Sequence, residues 1–260
     1  PVENPTSALD VGCGTGIWMM EMATEFADCE FTGIDQITAQ PDDVLPRNCQ
    51  FVPCDQLTGG LPFGDASFDY VHQRMLVGSV PTGEWGGVCD ELFRVTRPSG
   101  WTEIVDTDGL IHGYCPPDGD YHKGHSLGLC SDSGIVTESE LSLCLGPAAA
   151  RINRWMLAAM ECRGVQPEEA FELQPVLQKS GFADVQSRCV AIPMGTWGGQ
   201  AGQMCLNIMR SAIVSLRSFL LQEQITDSVE FAETLRDWEL EADRGCYHME
   251  VAVYWAQRPF

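Results

Sequence analysis

The stretch that decides the fold is ALDVGCGTGIWMMEMA, residues Ala8–Ala23. It begins with the mostly apolar run Ala8–Val11, which is typical of a buried strand, and Ile17–Ala23 repeat apolar side chains as a helix does. Gly12–Gly16 lie between them and include three glycines. Glycine lets a backbone turn sharply and approach a ligand without a Cβ in the way. The sequence therefore predicts a strand, a tight loop and a helix, with the loop as a candidate ligand cradle.

The spacing of these glycines differs from the G-x-G-x-x-G fingerprint of dinucleotide-binding loops. They alternate with Cys13 and Thr15 behind Asp10, and this D-x-G-x-G-x-G pattern resembles motif I of class I S-adenosylmethionine-dependent methyltransferases. A glycine-rich turn before an ordinary helix is the alternative. The resemblance implies that this stretch contacts the cofactor through Asp10, Gly12, Cys13, Gly14, Gly16 and Trp18.

Two more predicted strands end in acidic residues. The predicted strand Phe31–Gln36 carries Asp35 at its end, about twenty residues beyond the last loop glycine. A carboxylate there can accept both hydroxyls of a ribose. Cys49–Gln56 ends at Asp55, and the resemblance implies that an acidic residue there meets the adenine amino group. The cofactor contacts expected at these strand ends are Asp35, Gln36, Asp55 and Gln56.

The segment Leu61–Leu76, LPFGDASFDYVHQRML, resembles the L-P-F-x-D-x-S-F-D motif of the same family. Phe68–His72 is the predicted fourth strand, and the resemblance places Gln73 and Arg74 where the transferable methyl group meets the acceptor. We expect Gln73 to contact the cofactor. We expect Arg74 to orient a carboxylate, since an arginine more often positions a group than reacts.

The chain alternates predicted strands and helices through residue 106, with a helix over Trp85–Arg97, a turn at Pro98–Gly100 and a fifth strand over Trp101–Val105. This order predicts an α/β fold with a doubly wound parallel sheet and ligands at the carboxyl ends of its strands. The family resemblance implies a seven-stranded, mostly parallel, Rossmann-like sheet with an antiparallel last strand and a helical cap over the acceptor pocket.

The predicted organisation is one methyltransferase domain over residues 1–260. Residues 1–106 form the cofactor-binding half, and residues 107–163 and 193–245 form lid and cap insertions over the acceptor site. The irregular stretch Thr107–Gly134 is the candidate lid, because long loops in compact domains are more often functional than not. Further predicted elements are helices over Ser139–Arg163, Glu168–Ser180, Gln203–Gln222 and Asp227–Arg244 and strands over Gly181–Trp197 and Tyr247–Trp255.

Composition restricts the function. There are 37 acidic and 15 basic residues, a formal charge of −22, and such a surface repels nucleic acid. The 12 cysteines are irregularly spaced without a C-x-x-C pair, which favours reduced core residues and no metal site. Arg210 and Arg217 interrupt the longest apolar helix, so we expect no membrane span and a cytoplasmic protein.

Catalytic candidates come from residue chemistry. A hydroxyl or ammonium acceptor needs a general base, and histidine is the natural base near neutral pH. His72 is either that base or a satisfied core residue of the fourth strand, and His112 and Tyr114 lie in the candidate lid. With Arg74 they are the catalytic candidates. A weaker, metal-assisted alternative uses His122 and His125 with Asp118 or Asp120.

A finer resemblance covers most of the chain. It is similar to methyltransferases of the fungal velvet-complex regulator type and to bacterial relatives in secondary metabolism. This implies S-adenosylmethionine as cofactor, S-adenosylhomocysteine as product, a small-molecule or self-associated acceptor and a monomer or homodimer. A regulatory scaffold that keeps the cofactor fold is the alternative; an aminopropyltransferase would need a paired acidic stretch that is missing here. The segments that carry this resemblance are Gly14–Trp18, Asp69–Arg74, Gly181–Gln186, Ile192–Trp197 and Arg258–Phe260.

Overall fold

The computed structural model describes residues 4–36, 45–54, 59–113 and 145–260. Within these ranges the chain forms eight strands and seven α-helices. The strands are β1 (Ser7–Val11), β2 (Glu30–Asp35), β3 (Cys49–Pro53), β4 (Phe68–Arg74), β5 (Thr96–Thr107), β6 (His112–Gly113), β7 (Ala183–Pro193) and β8 (Tyr247–Gln257). The helices are α1 (Ile17–Glu25), α2 (Trp85–Val95), α3 (Pro147–Cys162), α4 (Leu173–Lys179), α5 (Gly199–Ser215), α6 (Arg217–Gln222) and α7 (Ser228–Ala242).

The chain divides into two compact units, and β5, β7 and β8 each contribute residues to both. The first unit contains Pro1–Asp106, Glu168–Arg188 and Ala252–Phe260. The second contains Thr107–Pro167 and Cys189–Val251.

The first unit is built on the predicted doubly wound sheet. Its strand order is β3-β2-β1-β4-β5-β8, with β7 paired to β8. The pairs β1–β2, β1–β4, β2–β3 and β4–β5 are all parallel. The order reverses between β1 and β4, because the chain leaves β1 toward β2 on one side and β4 toward β5 on the other. Ligands of such sheets bind beyond the carboxyl ends of the strands at this switch point.

The two faces of this sheet differ in character because successive side chains on a strand point to opposite faces. Leu9, Val71 and Ile104 lie on one face within the main hydrophobic core, together with apolar residues of α2 and α4. Each side chain of this size contributes roughly 1.5–3 kcal/mol when it is fully buried. On the opposite face Ala8 and Phe31 pack with α1 in a smaller cluster. The larger core therefore lies under α2 and α4.

The predicted turn at Pro98–Gly100 is wrong, since these residues lie inside β5. Ser99 has a positive φ of 65°, and the pairing of β4 with β5 shifts register between Phe68 and Tyr70. The Ser99 N–H donates to the Arg258 carbonyl over 2.8 Å, and the Arg258 N–H donates to Gly100 over 3.0 Å. These distant bonds hold the segment extended with an irregularity instead of a chain reversal.

The elements around Gly181 in the first unit also differ from the predicted ones. The predicted helix over Glu168–Ser180 is a 3₁₀ turn, Pro167–Phe171, followed by the short helix α4. Gly181 follows with a positive φ of 105°, which agrees with its predicted place after a helix. The predicted strand over Gly181–Trp197 is shorter and spans only β7.

The second unit contains α3 and α7, which pack together, and the short strand β6. His112 and Gly113 pair antiparallel with His248 and Tyr247 of β8. This pairing adds a strand inside the predicted irregular stretch, so the described residues contain eight strands instead of seven. Along α3 the apolar side chains of Ile152, Trp155, Met156 and Ala159 are all buried.

The predicted helix over Gln203–Gln222 begins earlier, at Gly199, and is divided at Leu216 into α5 and α6. By length and composition alone, the stretch Thr196–Gln222 of the described chain could cross a membrane, with a mean hydropathy of 1.4. The sequence predicts no membrane span because Arg210 and Arg217 interrupt this helix, and both arginines contact α7. Arg210 pairs with Glu239 over 2.7 Å, and Arg217 donates to Ser228 over 3.2 Å.

The carboxylate of Asp69 on β4 joins three segments of the first unit. It accepts the Thr6 N–H over 2.8 Å and lies 2.7 Å from Arg97 Nη1. Burial opposes ionisation of this group. The hydrogen bonds from Thr6 and Arg97, with the charge of Arg97, outweigh burial and hold the pKa of Asp69 at about 2.

We expect Asp69→Asn to lower the free energy of unfolding at pH 7 by about 1–2 kcal/mol, since the lost carboxylate makes charge-assisted bonds that are partly screened. A depressed pKa stabilises the fold above the unfolded value near 4, and this contribution is lost as the pH falls toward 2. Urea denaturation between pH 7 and pH 2 should therefore show the difference narrowing below about pH 4. Asp90→Asn, at an exposed position of α2, is the control and should show no such change. A difference that stays constant with pH would contradict the assignment.

Candidate functional site

The glycine loop takes a shape that favours glycine at three positions. Gly12, Gly14 and Gly16 have φ angles of 70°, 54° and 75°, all in the left-handed region. The N–H groups of Gly12 and Cys13 both donate to the carbonyl of Ile34, over 2.8 and 2.9 Å. The loop is therefore fixed to the end of β2 by its own backbone.

The space around Gly12 differs from that around Gly14. A Cβ on Gly12 would lie 2.5 Å from Leu76 Cδ2, so that glycine permits close packing. Apart from its two chain neighbours, a Cβ on Gly14 would meet no described residue within 4 Å, so this side of the loop is open among the described residues. Burial and the charges of Asp10 and Asp35 raise the pKa of Cys13 to about 12, which makes it a neutral thiol. The open side at Gly14 is where a ligand can approach the backbone.

The carboxylate of Asp35 reaches the loop directly. Its Oδ2 accepts the Gly14 N–H over 2.8 Å. Asp35 ends β2, whose register with β1 pairs Ile34 with Val11. The structure thus brings together the glycine loop and the acidic strand end that the sequence placed about twenty residues apart. Gln36 follows Asp35 and is exposed.

Asp10 and His72 form a buried pair behind the loop. Asp10 Oδ1 lies 2.9 Å from His72 Nδ1, and the exposed fractions of the two residues are 3% and 2%. Trp18 stacks on the His72 ring with centroids 3.8 Å apart and planes 6° apart. This enclosure favours the interpretation of His72 as a satisfied core residue. It also places Trp18 against the sheet.

The end of β4 carries Gln73, which is fully buried and pairs in register with Val11. Its Nε2 lies 3.5 Å from Asp106 Oδ2, while its Oε1 has no hydrogen-bond partner among the described residues. Asp106, at the carboxyl end of β5, also accepts the N–H groups of Leu76 and Val77 over 3.0 and 3.2 Å. Sequence reasoning missed Asp106, although its place at the end of a predicted strand was a usable signal.

Arg74 and Met75 follow Gln73 and are both exposed. None of the ion pairs among the described residues involves Arg74. Met75 has a positive φ of 59° and is 42% exposed, and its N–H donates to the Val105 carbonyl over 2.9 Å. A non-glycine residue in this region costs about 1–3 kcal/mol, and such residues cluster at functional sites. Nothing in the local sequence indicates this strain.

His112, a candidate base, belongs to the second unit and lies on β6. Its Nε2 is 2.8 Å from Asp108 Oδ2. Burial opposes protonation, but the hydrogen bond and the charge of Asp108 outweigh it and raise the pKa of His112. His112 and Asp108 thus form a histidine–carboxylate pair. Seven predicted site residues lie outside the described residues: Asp55, Gln56, Tyr114, Asp118, Asp120, His122 and His125.

The described residues contain no group of three or more histidine, cysteine or acidic side chains arranged to hold a metal ion. Cys29, Cys89 and Cys205 are buried free thiols, as the sequence predicted for small core residues.

A methyltransferase domain family matches residues 8–100, which include the whole glycine loop. The chain is 31% identical over 193 residues to the secondary metabolism regulator LAE1 of Cochliobolus heterostrophus, covering 73% of this chain and 53% of that protein. It is 36% identical over 196 residues to a protein of Emericella nidulans named protein-methionine methyltransferase laeA, covering 75% and 45%. The chain thus spans about half the length of the curated relatives it matches.

Solved structures show the same fold. Phosphoethanolamine N-methyltransferase 2 of Haemonchus contortus, in complex with S-adenosyl-L-methionine, superposes with a TM-score of 0.55 at 17% identity, covering 100% of this chain and 50% of that one. The YcgJ protein of Bacillus subtilis gives a TM-score of 0.52 at 14% identity, covering 99% and 94%.

Alanine substitutions at Gly12 and Gly14 should lower the stability by different amounts. An alanine at Gly12 or Gly14 adopts an unfavourable left-handed φ, which costs about 1–2 kcal/mol. Gly12→Ala must also displace Leu76 from packed surroundings, and such overpacking costs about 1–3 kcal/mol more. We therefore expect Gly12→Ala to lower the midpoint of urea denaturation clearly more than Gly14→Ala. Equal losses of stability would contradict the packing role of Gly12.

Proposed function

This chain belongs to the class I S-adenosylmethionine-dependent methyltransferases, and on that premise we propose that it binds the cofactor at its glycine loop and transfers the methyl group to an acceptor. One observation carries the proposal. The Asp35 carboxylate accepts the Gly14 N–H over 2.8 Å, and beyond the chain neighbours of Gly14 no described residue comes within 4 Å of a Cβ at that position. A carboxylate and an open glycine backbone at a sheet switch point suit a nucleoside with an amino-acid moiety.

The residues present fit this cofactor. The backbone of Gly12–Gly16 would hold its methionine moiety, and Asp35 would accept its ribose hydroxyls. The buried Gln73 Oε1 is an acceptor whose lack of a donor costs about 1–3 kcal/mol, and the cofactor's ammonium group is a suitable donor. When bound, the cofactor supplies a methyl group on a positively charged sulfonium.

Charge supports the same assignment. Asp10, Asp35 and Asp106 lie at or near the carboxyl ends of β1, β2 and β5 in the same sheet of the first unit. Together with a net charge of −22, they favour a cationic ligand over a phosphate-bearing one. The chain's own contribution to the reaction is then chiefly to position the acceptor, and positioning contributes roughly 7–11 kcal/mol in favourable cases. Arg74, exposed at the end of β4, is proposed to orient an anionic acceptor.

We propose that His112 of the second unit can act as a general base, since its Nε2 is held by Asp108 Oδ2 over 2.8 Å. The raised pKa of His112 implies that turnover through this base increases as the pH rises through that pKa, because only the neutral imidazole accepts a proton.

The acceptor is proposed to be a small molecule of secondary metabolism, because the relatives are named as regulators of that metabolism. A second candidate is the thioether of a methionine in a protein, since one relative is named a protein-methionine methyltransferase. A third is a regulatory scaffold that binds the cofactor without turnover. The second differs from the first in which molecule receives the methyl group, and the third transfers none.

Transfer of label separates the three functions. The purified chain is incubated with methyl-tritiated S-adenosylmethionine and a metabolite extract, the unreacted cofactor is removed by chromatography, and the remaining radioactivity is counted separately in protein and in small molecules. Label in small molecules supports the proposed acceptor, and label in protein supports the second candidate. Cofactor binding by calorimetry with no label in either fraction supports the scaffold. Failure to bind either the cofactor or S-adenosylhomocysteine would overturn the proposal.

We expect Asp35→Asn to weaken S-adenosylhomocysteine binding about 10- to 100-fold, because hydrogen bonds to a charged group contribute about 1.5–3 kcal/mol. The asparagine oxygen still accepts the Gly14 N–H, so the loop keeps its support and the loss reports on the ligand. Isothermal titration calorimetry measures the affinity. Asp28→Asn, at an exposed position between α1 and β2, is the matched control and should bind like the wild type. An affinity of Asp35→Asn within twofold of the wild type would exclude the ribose contact.

A further inference from the structure

We propose that the first unit carries a second binding site, an aromatic cleft that takes a small organic cation with apolar substituents, such as a methylated ammonium. The cleft has a volume of about 260 Å³ and lies between α1 and the sheet. The side chains that define it are Trp18, Met22, Phe26, Phe31, Tyr70 and Glu103.

The cleft is separate from the glycine loop. Its strand residues Ala8, Phe31 and Tyr70 lie at one level, because Ala8 pairs in register with both of the others. Gly12 follows β1 four residues later, and a strand rises about 3.3 Å per residue, which places the loop roughly 13 Å further along. The two sites are therefore at different levels of the same sheet.

The aromatic lining suits a cation that carries methyl groups. The Trp18 ring lies 6.2 Å from Phe31 in an edge-on arrangement, and 6.2 Å from Tyr70 at 20° between planes. Phe26 and Met22 add apolar surface. Aromatic faces attract cations through their quadrupole, with about 0.5–1 kcal/mol at exposed sites and about 2 kcal/mol or more when desolvated.

Glu103 supplies the charge that makes the cleft selective. Its side chain is 30% exposed, and its negative charge acts on the Tyr70 hydroxyl. Burial, with the charge of Glu103, raises the pKa of Tyr70, so the hydroxyl keeps its proton. No arginine or lysine among the described residues pairs with Glu103, and the nearest basic group is His72 Nε2 at 3.8 Å.

An uncharged occupant would not use this carboxylate. A partly buried carboxylate loses hydration when an apolar group covers it, and this cost is recovered only when an opposite charge comes close. A cation with methyl groups satisfies both the rings and Glu103, and the charge of −22 raises its local concentration. Charge complementarity therefore selects an organic cation over an apolar segment.

Choline and 3,3-dimethylbutan-1-ol test the preference of the cleft for a cation, because they have the same shape and only choline is charged. Binding of each to the purified chain is measured by calorimetry. We expect choline to bind at least tenfold more tightly than the neutral analogue, and saturating S-adenosylhomocysteine to leave choline binding unchanged. Equal binding of the two, no binding of choline, or displacement by S-adenosylhomocysteine would each overturn the proposal. The last outcome would mean that choline occupies the glycine-loop site.

Variants locate the site. Glu103→Gln should weaken choline binding about tenfold and leave the neutral analogue unaffected. Glu21→Gln removes the same charge from an exposed position of α1 and should bind choline like the wild type. Circular dichroism confirms that both variants are folded. Equal choline affinities for Glu103→Gln and Glu21→Gln would assign the attraction to the overall charge and overturn the assignment to this cleft.

Discussion

The first unit depends on the attachment of the glycine loop to the end of β2. The N–H groups of Gly12, Cys13 and Gly14 all point to that strand, the first two to the Ile34 carbonyl and the third to the Asp35 carboxylate. A tight loop has few partners for its own backbone, and buried backbone groups without partners are costly. β2 supplies those partners, so the parallel pairing of β1 with β2 also determines the shape of the loop.

This attachment explains why acidic residues can gather at one edge of an already acidic protein. Each carboxylate has a structural partner that offsets the repulsion. Asp10 is held by His72, Asp35 by the Gly14 N–H, and Asp106 by the N–H groups of Leu76 and Val77. Hydrogen bonds of this kind stabilise the charged form of a carboxylate. The negative potential at the strand ends is thus built into the fold before any ligand binds.

The sequence predicted what depends on local pattern and missed what depends on distant pairing. The strand, glycine loop and helix of residues 7–25 follow from spacing, because glycine and apolar periodicity act over a few residues. The segment Pro98–Gly100 has the composition of a turn, yet its bonds to Arg258 keep it in β5. His112 likewise becomes part of a strand only through His248. In the site, the same limit hid the strained Met75 and the bonds of Asp106 to the segment after β4.

His72 contacts residues of both the glycine-loop region and the aromatic cleft. His72 lies between Asp10, which precedes the loop, and Glu103, which lines the cleft, and Trp18 covers its ring. A ring between two carboxylates and beneath an indole is shielded from substrate, which argues against a direct part in methyl transfer. The same stacking fixes Trp18 over the sheet and so forms a wall of the aromatic cleft. Of its two interpretations, base or core residue, the contacts of His72 therefore favour a buried residue that supports Trp18.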